Sequence, residues 1–320
     1  MHYRRLGHSG LKVSEISLGA WVTFGSQIDE KSAIELIHEA YTLGVNFFDN
    51  ADVYASGAAE TVMGKAVKDL PREALVISSK VFWPTMPGPN GRGLSRKHIV
   101  ESVEASLKRL GVDYLDLYFC HRFDPDAPIE EVVRTMDDLV HQGKILYWGT
   151  SEWDASQVAT AIGTARQYGL MPPVMEQPQY NMFHRKRVEL ELSPLCKEFG
   201  LGLTTWSPLY FGILSGKYNN GIPEGSRAAL EDMGWIRDRI TPQRSDMVRT
   251  LTALAGDLGM TTAQLALSWI LRRKEVSSVI TGATHMEQLD ENLGAAEMVE
   301  KLTNEVLEQI EKIIGNQSED

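Results

Sequence analysis

Residues 46–67, NFFDNADVYASGAAETVMGKAV, contain the pattern that decides the fold. A short apolar run ends at Asp49, Tyr54 follows five positions later, and a helix-like stretch begins near Ala58. A short apolar run of this kind is typical of a strand buried on both faces, as in parallel sheets covered by helices. The segment therefore predicts one strand–helix unit with a carboxylate at the carboxyl end of its strand.

The same unit recurs along the chain. Asp29 and Ser95 are predicted N-caps, Pro128 a predicted first helical residue, and Gly44 and Gly111 predicted helix ends. Candidate strands end near Gly19, Asp49, Lys80, Cys120, Thr150, Gln177, Trp206 and Thr281. Eight such units in 320 residues predict an α/β fold, a (β/α)8 TIM barrel, because these barrels take about 250 residues plus insertions. A doubly wound open sheet is the alternative.

Two segments lie outside this repeat. Residues 3–13, interrupted by Gly7 and Gly10, predict an N-terminal β-hairpin. The long step before Thr281 predicts an insertion after strand seven. No stretch resembles an inter-domain linker, so residues 1–320 are expected to form one domain.

Composition narrows the function classes. The chain has 32 basic and 43 acidic residues, a net charge of −11, which argues against nucleic acid as a partner. Two cysteines without a C-x-x-C pattern fit a reducing compartment, and no apolar run is long enough for a membrane span. We therefore expect a cytoplasmic protein. Histidine spacing predicts no metal site, and no G-x-G-x-x-G motif predicts a Rossmann cofactor site.

Four side chains at the predicted strand ends form a chemical set: Asp49, Tyr54, Lys80 and His121. Catalytic groups of such barrels lie at the carboxyl ends of the strands. Tyrosine has a reference pKa near ~10, which a nearby lysine would lower, and an aspartate would keep that lysine charged. Histidine can hydrogen-bond a substrate oxygen and, with a reference pKa near ~6.5, would titrate near neutrality.

Each of the four also has an ordinary structural explanation. Asp49 could be an N-cap, Tyr54 a packed rim residue, Lys80 a solvated charge and His121 a satisfied core histidine. Their occurrence at three consecutive strand ends favours the catalytic interpretation. Tyr54 is then the predicted proton donor and Asp49 the partner that anchors Lys80.

The sequence resembles the aldo-keto reductases, and within them the potassium-channel β-subunit group and its microbial relatives. The resemblance covers about residues 2–315. It rests on the segments LGAWVTFG (18–25), FFDNADVYASGAAE (47–60), RGLSRKHI (92–99), YWGTSEW (147–153), TWSPLYFGILSGKY (205–218) and SSVITGATHMEQLDENLGA (277–295). It implies an NADPH-dependent carbonyl reductase in which Asp49, Tyr54, Lys80 and His121 are the catalytic tetrad, with Tyr54 as general acid.

The resemblance also implies a set of NADP(H)-binding residues. Ser151 and Gln177 are expected to hold the nicotinamide carboxamide. Five further residues are expected to bind the cofactor: Ala20, Trp21, Gln27, Asp49 and Glu152. Those expected to form a strap along the pyrophosphate are Trp206, Ser207, Pro208, Leu209, Gly212, Leu214 and Ser215. Those expected at the adenosine end are Lys217, Tyr218, Arg227, Gly282, Thr284, Gln288, Glu291 and Asn292. Thr284 is predicted at a helix start, where backbone N–H groups favour an anion.

The substrate mouth is the least specific prediction. Aromatic and apolar residues could line it together with Tyr54 and His121, or could equally be packed loop residues. The candidates are Trp21, Phe24, Phe82, Trp83, Met86 and Tyr210. A small carbonyl compound is the expected substrate.

Two positions depart from the channel β-subunit pattern. His121 stands where those proteins have asparagine, and Glu152 stands where they have arginine. We also expect no added N-terminal segment of the kind that some channel β subunits use to block a pore. The reductase is therefore favoured over the alternative, a regulatory subunit that senses NADP(H) redox state, and a channel partner is not expected. A homo-oligomer, a tetramer or larger, is typical of this group.

Overall fold

Ten strands form two separate sheets in the computed structural model, which describes residues 1–25 and 27–315. The strands are β1 (Tyr3–Arg5), β2 (Lys12–Ser14), β3 (Ile16–Gly19), β4 (Phe47–Asp49), β5 (Val76–Val81), β6 (Leu115–Cys120), β7 (Ile145–Ser151), β8 (Met175–Gln177), β9 (Gly202–Thr205) and β10 (Val276–Thr281). Strands β3 to β10 are parallel, each paired with the next, and β10 closes on β3 with Thr281 opposite Leu18. The predicted TIM barrel is confirmed, and the open sheet is wrong.

The predicted N-terminal hairpin is also confirmed. β1 and β2 pair antiparallel, with Tyr3 opposite Ser14. Leu6 and Val13 are fully buried and belong to one apolar cluster with Phe47 and Met175, which come from the barrel strands. The hairpin therefore adds its own apolar side chains to the barrel interior.

Eleven α-helices occur in the described part of the chain. They are α1 (Glu30–Thr42), α2 (Ala58–Val67), α3 (Arg96–Leu110), α4 (Ile129–His141), α5 (Ala155–Tyr168), α6 (Ser193–Phe199), α7 (Gly234–Arg237), α8 (Pro242–Asp257), α9 (Thr262–Leu271), α10 (Met286–Gly294) and α11 (Asn304–Ile314). Asp29 and Ser95 cap α1 and α3 as predicted, accepting from Ser32 N at 2.9 Å and from His98 N at 3.2 Å.

One predicted helix end is confirmed and one needs a small correction. α1 ends at Thr42 with Leu43 as its C-cap, and Gly44 follows at the predicted C′ position with a φ of 93°. Pro128 is the N-cap of α4 and not its first helical residue; its ψ is 129°, and helical geometry starts at Ile129. This correction does not change the order of strands and helices around the barrel.

The predicted insertion lies between β9 and β10. It contains a short 3-10 segment, Tyr210–Ser215, the loop around Arg227, and the helices α7, α8 and α9. The loop and the 3-10 segment face the carboxyl ends of the barrel strands, where they form part of a cavity wall. The insertion therefore helps to build the site described next.

Candidate active site

A cavity of about 1270 Å³ opens at the carboxyl ends of the barrel strands. It receives most of the residues that sequence patterns single out, although they are scattered over more than 270 positions of the chain. The lining residues that were predicted are Trp21, Gln27, Asp49, Tyr54, Trp83, His121, Ser151, Gln177, Trp206, Ser207, Pro208, Leu209, Gly212, Ser215, Lys217, Arg227, Gly282, Thr284, Gln288, Glu291 and Asn292. Closure of the barrel brings these side chains to one mouth.

A buried ion pair lies at the floor of this cavity. Lys80 is fully buried, and its ammonium donates to Asp49 Oδ2 at 2.7 Å and to the carbonyl oxygen of Asn50 at 2.6 Å. The other carboxylate oxygen, Oδ1, accepts from Ser78 Oγ at 2.8 Å and from Gln177 Nε2 at 3.1 Å. Both oxygens of Asp49 are thus satisfied, as a buried carboxylate requires.

Tyr54 lies beside this pair on the loop that follows β4. A hydrogen bond of 3.3 Å from Asp52 N to the carbonyl oxygen of Lys80 ties the loop to β5. The Lys80 ammonium is 5.0 Å from the centroid of the Tyr54 ring. Because an ammonium has three N–H groups and two are used, one N–H remains for a further partner.

His121 lies next to Tyr54. Its backbone N–H donates to the carbonyl oxygen of Val81 at 3.0 Å, which fixes the end of β6 against β5. Its ring meets the Tyr54 ring edge-on at 5.9 Å and the Trp83 ring at 6.4 Å. The structure therefore brings all four predicted catalytic side chains together around one point of the cavity.

The pKa directions differ from those predicted for two of these groups. Burial, and next the charge of Asp49, raise the pKa of Tyr54 well above its usual value, although Lys80 is near. Burial, and next the charge of Lys80, lower the pKa of His121 well below its usual value. The predicted lowering of the Tyr54 pKa is therefore wrong, because burial disfavours the phenolate and the Asp49 carboxylate repels it. His121 is a neutral imidazole at neutral pH, so its predicted titration there is also wrong.

Strained backbone surrounds the same mouth. Among the described residues, seven non-glycine residues have positive φ: Val22, Ala55, Ser56, Glu152, Ser207, Tyr210 and Phe211. All lie in loops that follow barrel strands, and four of them line the cavity. Such conformations cost about 1–3 kcal/mol each and cluster at functional sites. Strain here is consistent with a site whose loops are held in one arrangement.

Glu152 is placed differently from the prediction. It does not line the cavity but supports its wall: Oε1 accepts from Trp206 Nε1 at 2.9 Å and from Gln179 N at 2.5 Å, and Oε2 accepts from Arg187 at 3.2 Å. Trp206 in turn lines the cavity and meets the Trp21 ring edge-on at 6.0 Å. Glu152 therefore acts on the site through Trp206.

Other predicted residues also lie behind the lining. Lys80 and Ala20 are fully buried, and the Ala20 N–H donates to the carbonyl oxygen of Asp49 at 2.9 Å. Leu214 belongs to the apolar core, and Tyr218 packs with its ring 5.3 Å from the Lys217 ammonium. These residues can support a bound group but do not face the cavity.

Four candidates for the substrate mouth are also outside it. Phe24 and Phe82 are buried in the core, and Tyr210 is buried against Phe183, with ring centroids 5.5 Å apart. Met86 is 47% exposed on the loop after β5. Of the predicted mouth residues, Trp21, Tyr54, Trp83 and His121 line the cavity. The loop sequence alone does not indicate which apolar side chains point toward the cavity and which toward the core.

Two cations lie at the other end of the cavity. Desolvation, and next the charge of Arg227, lower the pKa of Lys217 to about 8. Neither side chain forms an ion pair with a described carboxylate; Arg227 donates to Thr23 Oγ1 at 3.3 Å. Two neighbouring cations without a counter-charge fit an anion such as a phosphate group.

The surroundings of these cations fit the same group. Gln27 Oε1 and Ser226 Oγ are buried without a hydrogen-bond partner among the described residues, and both side chains belong to the cavity wall. Thr284 N and Oγ1 both donate to Gln288 Oε1, at 2.9 and 3.1 Å. The sequence predicts Thr284 at the start of a helix. α10 begins at Met286 with His285 as its N-cap, so Thr284 lies two residues before the first helical residue.

Sequence patterns missed several lining residues. Arg122 and Phe211 are neighbours of predicted residues, and that adjacency is the one signal that could have indicated them. Leu230 and Met233 come from the insertion, where no periodicity marks which side chains turn inward. Within residues 1–25 and 27–315, no group of three His, Cys, Asp or Glu side chains is arranged to hold a metal ion.

Active sites of parallel barrels lie at the carboxyl ends of the strands, and the lysine–carboxylate pair and Tyr54 lie at this mouth. The sequence model of the Aldo/keto reductase family matches residues 15–315, and the chain belongs to this family. Membership implies an oxidoreductase that uses NAD(P)H. None of the helices in the described ranges is long and apolar enough to cross a membrane.

Two similar proteins come from plants. A probable voltage-gated potassium channel subunit beta of Arabidopsis thaliana is 51% identical over 320 residues, which cover 98% of this chain and 97% of that protein. One with the same description from Oryza sativa subsp. japonica is 49% identical over 318 residues, with coverage of 98% and 97%. The resemblance to the channel β-subunit group is therefore confirmed.

Proposed function

We propose that this chain reduces aldehydes or ketones to alcohols with NADPH, and that Tyr54 donates the proton to the carbonyl oxygen. The observation that carries the proposal is the cluster of Tyr54, His121 and the buried Asp49–Lys80 pair at the cavity floor. NADPH, when bound, supplies the hydride. The high pKa of Tyr54 keeps its proton in place until a carbonyl oxygen gains negative charge.

The other three side chains have separate proposed roles. Lys80 stabilises the tyrosinate that forms when the proton leaves, and Asp49 keeps Lys80 charged against the burial that lowers its pKa. His121, a neutral imidazole, donates a hydrogen bond to the substrate oxygen and does not exchange a proton near neutral pH. The aromatic walls of Trp21, Trp83 and Trp206 keep water from the reacting atoms.

The preference for NADPH over NADH is part of this proposal. Lys217 and Arg227 would hold the 2′-phosphate, and their uncompensated charges support that assignment. Gln27, Ser226 and Gln288 would bind neighbouring oxygens, and Ser151 and Gln177 would hold the nicotinamide carboxamide. The predicted cytoplasmic location and homo-oligomeric state accompany this assignment as predictions.

Substitution of the proposed acid tests the function. We expect Tyr54→Phe to lower the turnover of 4-nitrobenzaldehyde with NADPH by about 10²–10⁴-fold, because only the proton donor is removed. NADPH affinity, measured by tryptophan fluorescence, should stay within a few-fold. Tyr168→Phe is the control, since Tyr168 is 42% exposed at the end of α5. A Tyr54→Phe enzyme as fast as the parent would exclude Tyr54 as the acid.

A regulatory role at a potassium channel is the second candidate. The descriptions of the plant relatives favour it, whereas His121 in place of asparagine favours the reductase. A pull-down with cytoplasmic domains of channels, run beside the reduction assay, separates the two. Channel binding without turnover of any aldehyde would support the second candidate alone.

A further inference from the structure

Arg122 lines the cavity directly beside the proposed catalytic groups and has no role in the function described so far. It follows His121 at the end of β6, and its side chain is half-buried. Its guanidinium lies 5.7 Å from the centroid of the Trp83 ring. Its Nη1 donates a hydrogen bond to the carbonyl oxygen of His121. A guanidinium has five N–H donors, so most of its donors remain available.

Arg122 forms no ion pair of its own within the described part of the chain. Among residues 1–25 and 27–315, no carboxylate lies within 4.0 Å of its guanidinium. The other charges near this end of the cavity are paired: Lys80 with Asp49 at 2.7 Å, and Arg187 with Glu152 at 3.2 Å. Arg122 therefore has no described carboxylate in contact with its guanidinium, although the charge of Glu152 acts on it from a greater distance.

Two carboxyl groups act on Arg122 without contacting it. Glu152, the charge that most raises the pKa of Arg122, is itself paired with Arg187 at 3.2 Å, and Glu176 has a smaller effect. Burial is the main reason that the pKa of Glu176 is raised to about 8, so this side chain is mostly neutral at pH 7. The charge of Arg122 also reaches the catalytic groups: burial and Lys80 lower the pKa of His121, and Arg122 lowers it further. The cation is thus close enough to act on a molecule bound at His121 and Tyr54.

We infer that Arg122 is a specificity residue that binds a carboxylate group of the substrate, so that the preferred substrates are carbonyl compounds carrying a carboxylate. The inference rests on the proposed reductase function and names its substrate class. A guanidinium binds a carboxylate through two parallel N–H···O bonds, which fixes orientation as well as affinity. The chain carries a net charge of −11, which repels anions in general, so an anionic substrate needs a local cation of this kind.

The aromatic wall suggests how such a substrate lies. Trp83 lies near both His121 and Arg122. The centroids of the Trp83 and His121 rings are 6.4 Å apart, and the Arg122 guanidinium is 5.7 Å from the Trp83 ring centroid. A planar molecule against this wall would direct its carbonyl group to Tyr54 and its carboxylate to Arg122. Aromatic aldehyde acids therefore suit the site as probes.

Two matched substrates test the inference. 4-Carboxybenzaldehyde and 4-nitrobenzaldehyde are both planar and of similar size, but only the first carries a charge. We expect Arg122→Gln to lower kcat/KM for 4-carboxybenzaldehyde by about ten- to a hundredfold, mainly through KM, as loss of a charge-assisted pair does. The value for 4-nitrobenzaldehyde should change less than threefold, which also shows that the variant folds. Arg122→Lys should restore part of the loss.

A control separates contact from general attraction of anions. Arg92 is exposed on the loop after β5 and lies outside the cavity lining. Arg92→Gln removes one charge near the mouth without touching the site, so both substrates should be reduced as by the parent. An equal loss with Arg92→Gln would overturn the inference, because the effect would then be long-range. Equal losses of the two aldehydes with Arg122→Gln would overturn it as well.

Failure of the proposed function gives a different result. If the parent reduces neither aldehyde, reductase activity is refuted, and the anion site is tested by calorimetric titration with 4-(hydroxymethyl)benzoate. Binding to the parent that falls at least tenfold in Arg122→Gln would still support a carboxylate site. Absent or equal binding in the two proteins would overturn it.

Discussion

The buried Asp49–Lys80 pair allows a stability prediction that follows from its distances. Lys80→Met keeps the apolar length of the side chain but removes the ammonium that contacts Asp49 Oδ2 at 2.7 Å and the Asn50 carbonyl at 2.6 Å. Removing one partner of a buried pair costs about 3–5 kcal/mol, because the remaining charge is left uncompensated. Ser78 and Gln177 still donate to Asp49 Oδ1, so we expect a loss near the lower limit, about 3 kcal/mol.

The second substitution should recover much of this loss. Asp49→Asn combined with Lys80→Met removes both charges, and replacing a buried pair by neutral groups is often nearly neutral. The double variant should therefore unfold with a free energy above that of Lys80→Met alone, by at least about 1 kcal/mol. All three variants should lose most of the proposed reductase activity. Lys80→Met removes the ammonium beside Tyr54, and Asp49→Asn removes the carboxylate that holds this ammonium in place.

Urea unfolding followed by tryptophan fluorescence measures these free energies. The parent, the two single variants and the double variant form one cycle, whose coupling energy reports the interaction of the two side chains. The matched control for loss of an ammonium is Lys97→Met, at an exposed side chain of α3. A cost below about 1 kcal/mol for Lys80→Met, or additive single effects, would refute the description of a buried pair.

Two further predictions concern other charges. Lys217→Met combined with Arg227→Leu should weaken NADPH binding by at least about tenfold and leave the affinity for NADH within a few-fold, since each charge-assisted hydrogen bond contributes about 1.5–3 kcal/mol. Fluorescence titration measures both affinities, and an unchanged preference for NADPH would place its 2′-phosphate elsewhere. Burial, and next the charge of Glu60, raise the pKa of Asp52 to about 8. Between pH 3.8, the usual pKa of aspartate, and pH 8, the folded protein therefore keeps a proton that the unfolded chain has released. The free energy of unfolding falls as the pH rises through this range. Asp52→Asn should remove this dependence, so its advantage in free energy of unfolding should grow between pH 5 and pH 8, by up to about 1.4 kcal/mol per pH unit; parallel pH profiles of variant and parent would contradict the assignment.

The sequence was sufficient for features that depend on local patterns and their order. Strand ends such as Gly19, Asp49 and Cys120 coincide with those of the structure because buried parallel strands are short apolar runs with polar residues after them. Barrel closure then places Asp49 and Gln177, which are 128 positions apart, within 3.1 Å of each other. The location of most candidate site residues follows from that topology.

Features that depend on distances between side chains could not be predicted. The sequence indicates that Lys80 and Tyr54 are close, but the sign of the Tyr54 pKa shift depends on burial and on Asp49, which neutralises the lysine. In the same way, nothing in the order of residues shows that Tyr210 turns into the core while its neighbour Phe211 faces the cavity. Side-chain direction in loops with positive φ is set by tertiary contacts.

The charge at position 152 shows why similarity of the whole chain does not fix the properties of the mouth. The resemblance to channel β subunits predicts arginine there, but Glu152 accepts from Trp206 Nε1 and pairs with Arg187. An arginine could not accept the Trp206 hydrogen bond and would repel Arg187. It would also replace a negative charge that acts on Arg122 by a positive one. Glu152 thus holds the cavity wall through Trp206 and also moderates the positive charge near Arg122. In the proposed reductase, this one exchange would therefore change the charge that a substrate meets at the mouth while the barrel is unchanged.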